Sequence, residues 1–156
     1  MSDDRTLANP LLHPSVAAFA TAAKTTGQPL RLVVGTGVSL EVRISHIGRD
    51  YLAGSLGDGN GAMAIIPMSS IVALDAHDLL DWVGHDVVSP PARSHLRAML
   101  ANSQRLLHRV SVHTAVSHHS GLIDSVGIDG LVVTASPTSH RLVLIRHIIW
   151  IAVLNA

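Results

Sequence analysis

The chain has 156 residues, enough for one domain or two very small ones and for a core that needs no cross-links. Hydrophobic residues make up 47% and charged residues 14%, which excludes disorder over most of the length, while an aromatic share of 3% makes the core aliphatic and argues against a surface of several stacked rings. With no Cys there are no disulfides, thiolate metal sites or cysteine nucleophile, and a formal net charge of +0 leaves any binding of nucleic acid or anionic lipid to a local patch.

The opening residues "MSDDRTLANPLLHP" are acidic and polar where a signal peptide is basic and then apolar, so residues 1–13 read as a loose tail of a cytoplasmic protein. No apolar run approaches the roughly 20 residues that span a bilayer, and no membrane association is expected. Residues 14–27, "PSVAAFATAAKTTG", predict a short helix with Pro in its first turn and a terminating Gly. From Leu30 the period changes to two: "LRLVV", "VSLEVRI", "YLAGSL", "AMAIIPM" and "SIVAL" predict five short strands, with "VGTGVS" and "GDGNG" as turns between them.

Asp75, Asp78, Asp81 and Asp86 then mark an acidic connector, followed by residues 89–110, "SPPARSHLRAMLANSQRLLHRV". Ser89 caps a predicted amphipathic helix in which Leu96, Met99, Leu100, Leu106, Leu107 and Val110 form one sector and Arg93, Arg97, Arg105 and Arg109 the opposite one. Strands resume in "VSVHTAV", "SGLIDSV", "GLVVTAS", "RLVLIR" and "IIWIAVL". The second series repeats the first. Gly48, Asp50 and Leu52 recur as Gly127, Asp129 and Leu131 at an offset of 79, and Ile71 and Leu74 as Ile148 and Ile151 at an offset of 77.

"SGLIDSVGIDGLVVTAS" and "LVLIRHIIWIAV" resemble the two motifs of the Sm and Sm-like family, including its bacterial Hfq type. In the second motif Arg146 and His147 occupy the Lys-His positions of the Hfq type and Ile145 replaces the aromatic; the first repeat, "IIPMSSIVALD", has Ser69 and Ser70 there. The resemblance spans residues 30–75 and 110–154, and two such units joined by a helix are similar to bacterial tandem Sm-like proteins. It implies a mainly β fold of two five-stranded Sm-like (SH3-like) barrels, a homo-oligomer, and single-stranded RNA as ligand, although the Asn of the Sm first motif is missing from both repeats. The expected divisions are residues 1–27, tail and helix; 28–75, first repeat; 76–109, connector and helix; and 110–156, second repeat.

Eleven His invite a metal reading, yet no metal or cofactor is expected. His77, Asp81 and His85 share a helical spacing that Gly84, Pro90 and Pro91 interrupt, and His118 and His119 are adjacent, hence on opposite faces of a strand. Ser120, His119 and Asp124 supply the residue types of a hydrolytic triad without a nucleophile elbow, so the chain is read as a non-enzyme. Asp50 and Asp129 read as turn caps, and Trp82 and Trp150 as core or interface residues. The candidate nucleic-acid contacts are Arg146 and His147, assisted by His140 and Arg141, because guanidinium groups present planar donors that match phosphate. The competing reading is an oligomeric scaffold that binds a protein partner through apolar strand edges.

Overall fold

The computed structural model describes residues 7–8, 15–35, 37–57, 62–75, 87–88 and 94–154. The elements are β1 (Leu7–Ala8), α1 (Val16–Thr26), β2 (Leu30–Val34), β3 (Val38–Ile47), β4 (Tyr51–Leu56), β5 (Met63–Pro67) and β6 (Ile71–Asp75), followed by β7 (Val87–Val88), α2 (Leu96–Arg105), β8 (Arg109–Thr114), β9 (His118–Val126), β10 (Gly130–Ser136), β11 (Ser139–Leu144) and β12 (Ile148–Val153). Single 3-10 turns, Met68–Ser70 and Ile145–His147, precede β6 and β12. No helix among the described residues is long and apolar enough to cross a membrane.

Mainly β is the right class, but the strands form one open antiparallel sheet of ten, in the order β11-β10-β9-β8-β12-β5-β4-β3-β2-β6. Two separately closed five-stranded barrels are not what forms. The sheet continues through the middle because β12, the last strand of the second series, pairs with β5 of the first at Ile151↔Ile65, Ala152↔Ala64 and Val153↔Met63. Each half nevertheless has the same internal order: β6-β2-β3-β4-β5 is matched by β12-β8-β9-β10-β11. Beyond the sheet, Leu7–Ala8 of the expected loose tail pairs with Val87–Val88.

The repetition extends to irregularities, which composition alone would not produce. Both series bulge in the long second strand, between Ile44 and His46 and again opposite Val132 and Val133, where the pairing passes over Asp124. Both bulge in the closing strand, where the pairing passes over Val72 and Ile149. Gly48 N–H donates to Tyr51 O at 2.8 Å and Gly127 N–H to Gly130 O at 2.7 Å; Met68 N–H donates to Asp50 O at 2.8 Å and Ile145 N–H to Asp129 O at 2.9 Å. Bulges bend a strand and sharpen its twist. Bending brings backbones close, so a Cβ on Gly54 would lie 2.1 Å from Arg43 O and one on Gly121 2.3 Å from Thr134 O.

The helices follow the same logic. In α1, Ser15 is the N-cap, its hydroxyl accepting from Ala18 N–H at 3.0 Å, and Gly27 ends the helix in the left-handed region. The second helix is shorter than its sequence pattern suggests. It starts after His95, whose side chain makes no cap, and Leu96 N–H donates instead to the Asp50 carboxylate of the first half at 2.7 Å. Asp50 thus caps a distant helix rather than its own turn, and anionic oxygen suits the positive end of the helix dipole. Ser89, the expected cap, lies outside the described residues. The helix stops at Arg105, so Leu106 and Leu107 are exposed and Val110 belongs to β8. Leu107 takes φ 56, the left-handed position that Gly27 holds in the first half.

Two cores result, and each borrows from the other half. Leu32, Val34, Val42, Leu52 and Ile66 build the first, with Ile149 of β12 inserted among them. Leu100, Val112, Leu131, Val143 and Ile151 build the second, joined by Tyr51, Ala53 and Ile65 of the first half. Tyr51 Oη and Ser94 Oγ lie 2.7 Å apart, and Ser70 Oγ donates to Ile149 O at 2.6 Å, so polar contacts seal the same junction.

Candidate functional site

Where two halves share one topology, side chains that differ between them carry what the scaffold does not require. The clearest difference is the 3-10 turn before the closing strand. In the first half Ser70 of this turn is used internally, on Ile149 O. In the second half the turn presents Arg146 and His147, both exposed. Arg146 Nε–H donates to His147 Nε2 at 3.3 Å, which makes Nδ1 the protonated nitrogen of a neutral His147 and directs it elsewhere. The turn is held by Ile145 N–H on Asp129 O, so the pair sits on a fixed backbone.

His140 and Arg141 do not join that pair. They lie on β11, the edge strand of the sheet, separated from the turn by the strand's last residues. His140 Nε2–H donates to Pro137 O at 3.1 Å and its Nδ1 accepts from Thr134 Oγ1 at 2.9 Å, so both ring nitrogens brace the β10–β11 hairpin. Arg141 points to the other face, opposite Val133. The four candidates therefore occupy two places, a turn and an edge.

A second difference escaped sequence reasoning. Trp150, His113 and His118 stand across β12, β8 and β9 in direct register. The Trp150 and His113 rings stack at 4.1 Å with an interplanar angle of 5°, and His113 and His118 stack at 5.6 Å and 21°. Their counterparts in the first half, Ala73, Val33 and Ser39, show no ring at all. His113 and His118 are five residues apart on one hairpin, but Trp150 lies more than thirty positions further on, and only the strand registers bring its ring onto them. Burial and the neighbouring His118 lower the pKa of His113; burial, then Arg141 and His118, lower that of His119. Both imidazoles stay neutral to lower pH than an ordinary His.

The other constellations lie only in part within the described residues. His119 Nε2 bonds Ser117 Oγ at 2.9 Å, and as adjacent residues of β9 His119 and Ser120 point to opposite faces, so His119 does not face Ser120. No group of three or more His, Asp or Glu converges among the described residues. His77, Asp81, His85 and Trp82 lie outside them. Of the expected basic helical face the described residues keep Arg97 and Arg105 on α2: Arg97 Nε–H donates to Gly127 O at 3.0 Å and Arg105 Nη2–H to Asn102 Oδ1 at 2.6 Å, whereas Arg109 is in β8 and Arg93 lies outside the described residues. An open hollow of about 220 Å³ lies beside the end of α2, lined by Gln104, Leu107, Leu122, Ile123, Asp124 and Thr134.

No protein-family model matches the chain, and no curated protein matches it.

Proposed function

We propose that the chain is a non-catalytic, Sm-like binding module built of two five-stranded units, that it works as a homo-oligomer, and that it takes single-stranded RNA through the Ile145–His147 turn. The observation that carries the reading is the exposed Arg146–His147 pair on a backbone-anchored turn whose twin in the first half holds Ser69 and Ser70. A guanidinium at such a turn binds a phosphate bidentately, and the imidazole beside it adds a directional donor. With a net charge of +0 the attraction is local, so affinity depends on several copies of the turn acting together.

A short unstructured RNA, followed by fluorescence anisotropy near 50 mM salt, tests this. Phosphate contacts are strongest at low salt, and each one lost lowers the slope of log K against log salt by about 0.7 for a single strand. Arg146→Ala is expected to weaken binding roughly tenfold and flatten that slope without changing the elution volume of the protein. No detectable binding by the unaltered chain at low salt, or unchanged affinity in the variant, removes the RNA assignment.

A second reading, an oligomeric scaffold for a protein partner, is favoured by the apolar side chains on the sheet edges: Leu142 on β11 and Val72 on β6 are 63% and 68% exposed. Saturating RNA binding distinguishes the two.

A further inference from the structure

The two halves end their helices alike but fill the space beside them differently. At the end of α1, Gly27 takes φ 71 and its carbonyl accepts from Arg43 Nη1 at 2.8 Å, so the Arg43 side chain reaches from β3 across to the helix end. The repeat carries each of these positions into the second half: Arg43↔Ser55 recurs as Leu122↔Thr134, and Gly27 recurs as Leu107, φ 56, at the end of α2. There the spanning side chain is replaced by Leu122, which has no donor. The hollow of about 220 Å³ opens at that place, walled by Leu107, Leu122 and Thr134 together with Gln104, Ile123 and Asp124. We infer that this hollow binds an arginine side chain of a partner polypeptide, whose guanidinium takes the place that Arg43 takes in the first half. The inference is independent of RNA binding at the Arg146–His147 turn.

The chemistry of the lining fits that ligand. Leu107 stands where the first half accepts a guanidinium N–H on a helix-end carbonyl. Asp124 is the bulged residue of β9 as Ser45 is of β3, and it is the one charged residue of the lining. A carboxylate meets a guanidinium through two parallel donors, which makes the pair directional as well as attractive. Leu107 and Leu122 offer apolar surface against which the methylene stem of an arginine packs while its head stays polar. At about 220 Å³ the hollow is smaller than the roughly 300–1,000 Å³ of pockets for drug-sized ligands and suits a single side chain. Arg105, next to Gln104, donates to Asn102 Oδ1 at 2.6 Å and does not line the hollow.

Backbone strain is the independent observation. A leucine at φ 56 costs energy that a glycine there does not, and the Leu107 side chain, 69% exposed, recovers little of it by burial within the chain. Leu106 beside it is 54% exposed, so the helix end carries an apolar rim next to the hollow. Strain kept for an exposed apolar side chain at the wall of a hollow is what a ligand contact requires. A polypeptide that inserts its arginine lays the neighbouring residues on Leu106 and Leu107, which a free guanidinium compound does not.

The probe is the blocked peptide acetyl-Leu-Arg-Leu-amide, titrated into the isotope-labelled full chain and followed through backbone amide shifts. Saturable shifts centred on Gln104, Leu107 and Asp124 are expected. The same peptide with citrulline for arginine keeps the shape without the charge and is expected to bind about fivefold more weakly or worse. Equal binding of the citrulline peptide, or shifts centred elsewhere, overturns the inference, and agmatine binding as tightly as the peptide overturns the polypeptide assignment. Three variants probe the site itself. Leu122→Arg installs the filling that the first half uses and is expected to abolish peptide binding. Leu107→Gly is expected to raise the thermal midpoint yet weaken the peptide about threefold or more, and Asp124→Asn to weaken it about two- to fivefold. Unchanged peptide affinity in Leu107→Gly, or in a Leu122→Arg variant whose circular dichroism matches the unaltered chain, overturns the inference.

Discussion

Ile149→Ala is the perturbation that most directly measures how the two halves become one molecule. By sequence Ile149 belongs to the second half; by packing it belongs to the core of the first, 9% exposed. The site is closed around it, since a Cβ on Gly35 would lie 2.5 Å from Ile149 Cδ1 and the backbone carbonyl of Ile149 is held by Ser70. Three carbons are removed. At about 0.8 kcal/mol per buried methylene the transfer part is roughly 2.4 kcal/mol, and a residual cavity brings such truncations to about 2–5 kcal/mol. About 3 kcal/mol is expected, which lowers a urea midpoint by roughly 1–3 M for slopes of 1–3 kcal/mol/M. Urea unfolding followed by far-UV circular dichroism, at a dilution where association contributes nothing, is the assay. Val72→Ala is the control, because the same bulge position on β6 is 68% exposed and its truncation is expected to stay within about 0.5 kcal/mol. A loss below about 1 kcal/mol in Ile149→Ala, or equal losses in both variants, refutes the claim that the first core is completed by the second half.

Two other outcomes follow from local geometry. Leu107→Gly should stabilise the chain by up to about 1 kcal/mol, since Leu107 is 69% exposed at φ 56 and Gly27 fills the equivalent position; a lower thermal midpoint in the variant contradicts this. On acidification the chain should begin to lose stability as the pH falls below about 6.5. The folded pKa values of His113 and His119 lie below the unfolded value of about 6.5, so the unfolded state takes up protons first and the contribution present above that pH is lost as the pH falls through the folded values. A His113→Gln and His119→Gln double variant should flatten that part of the profile, and an unchanged slope of urea midpoint against pH contradicts the assignment.

Sequence and structure divide the information along a physical line. Local pattern determined the ten strands of the large sheet, because alternation of apolar and polar residues with Gly-rich turns allows little else, and the repeated Gly48/Gly127 and Asp50/Asp129 positions marked the same turn twice. It also singled out Arg146 and His147 as the place where the halves differ. Helix limits were less legible: Leu106 and Leu107 fit the helical stripe, yet the chain leaves the helix at Arg105 to start β8, and the cap comes from Asp50, 46 positions earlier.

What tertiary structure alone decided is which equivalent residues are buried. Ile149 and Val72 occupy the same bulge of the same strand, as Ile65 and Leu142 occupy the same place on theirs, and nothing local separates them. One of each pair is buried, at 9% and 0%, and the other exposed, at 68% and 63%. The reason is that a sheet of repeated units can satisfy its edges inside the chain at only one junction. Each unit has two edges, so joining two units leaves β6 and β11 open, and Val72 and Leu142 stay exposed while their twins are buried at the junction.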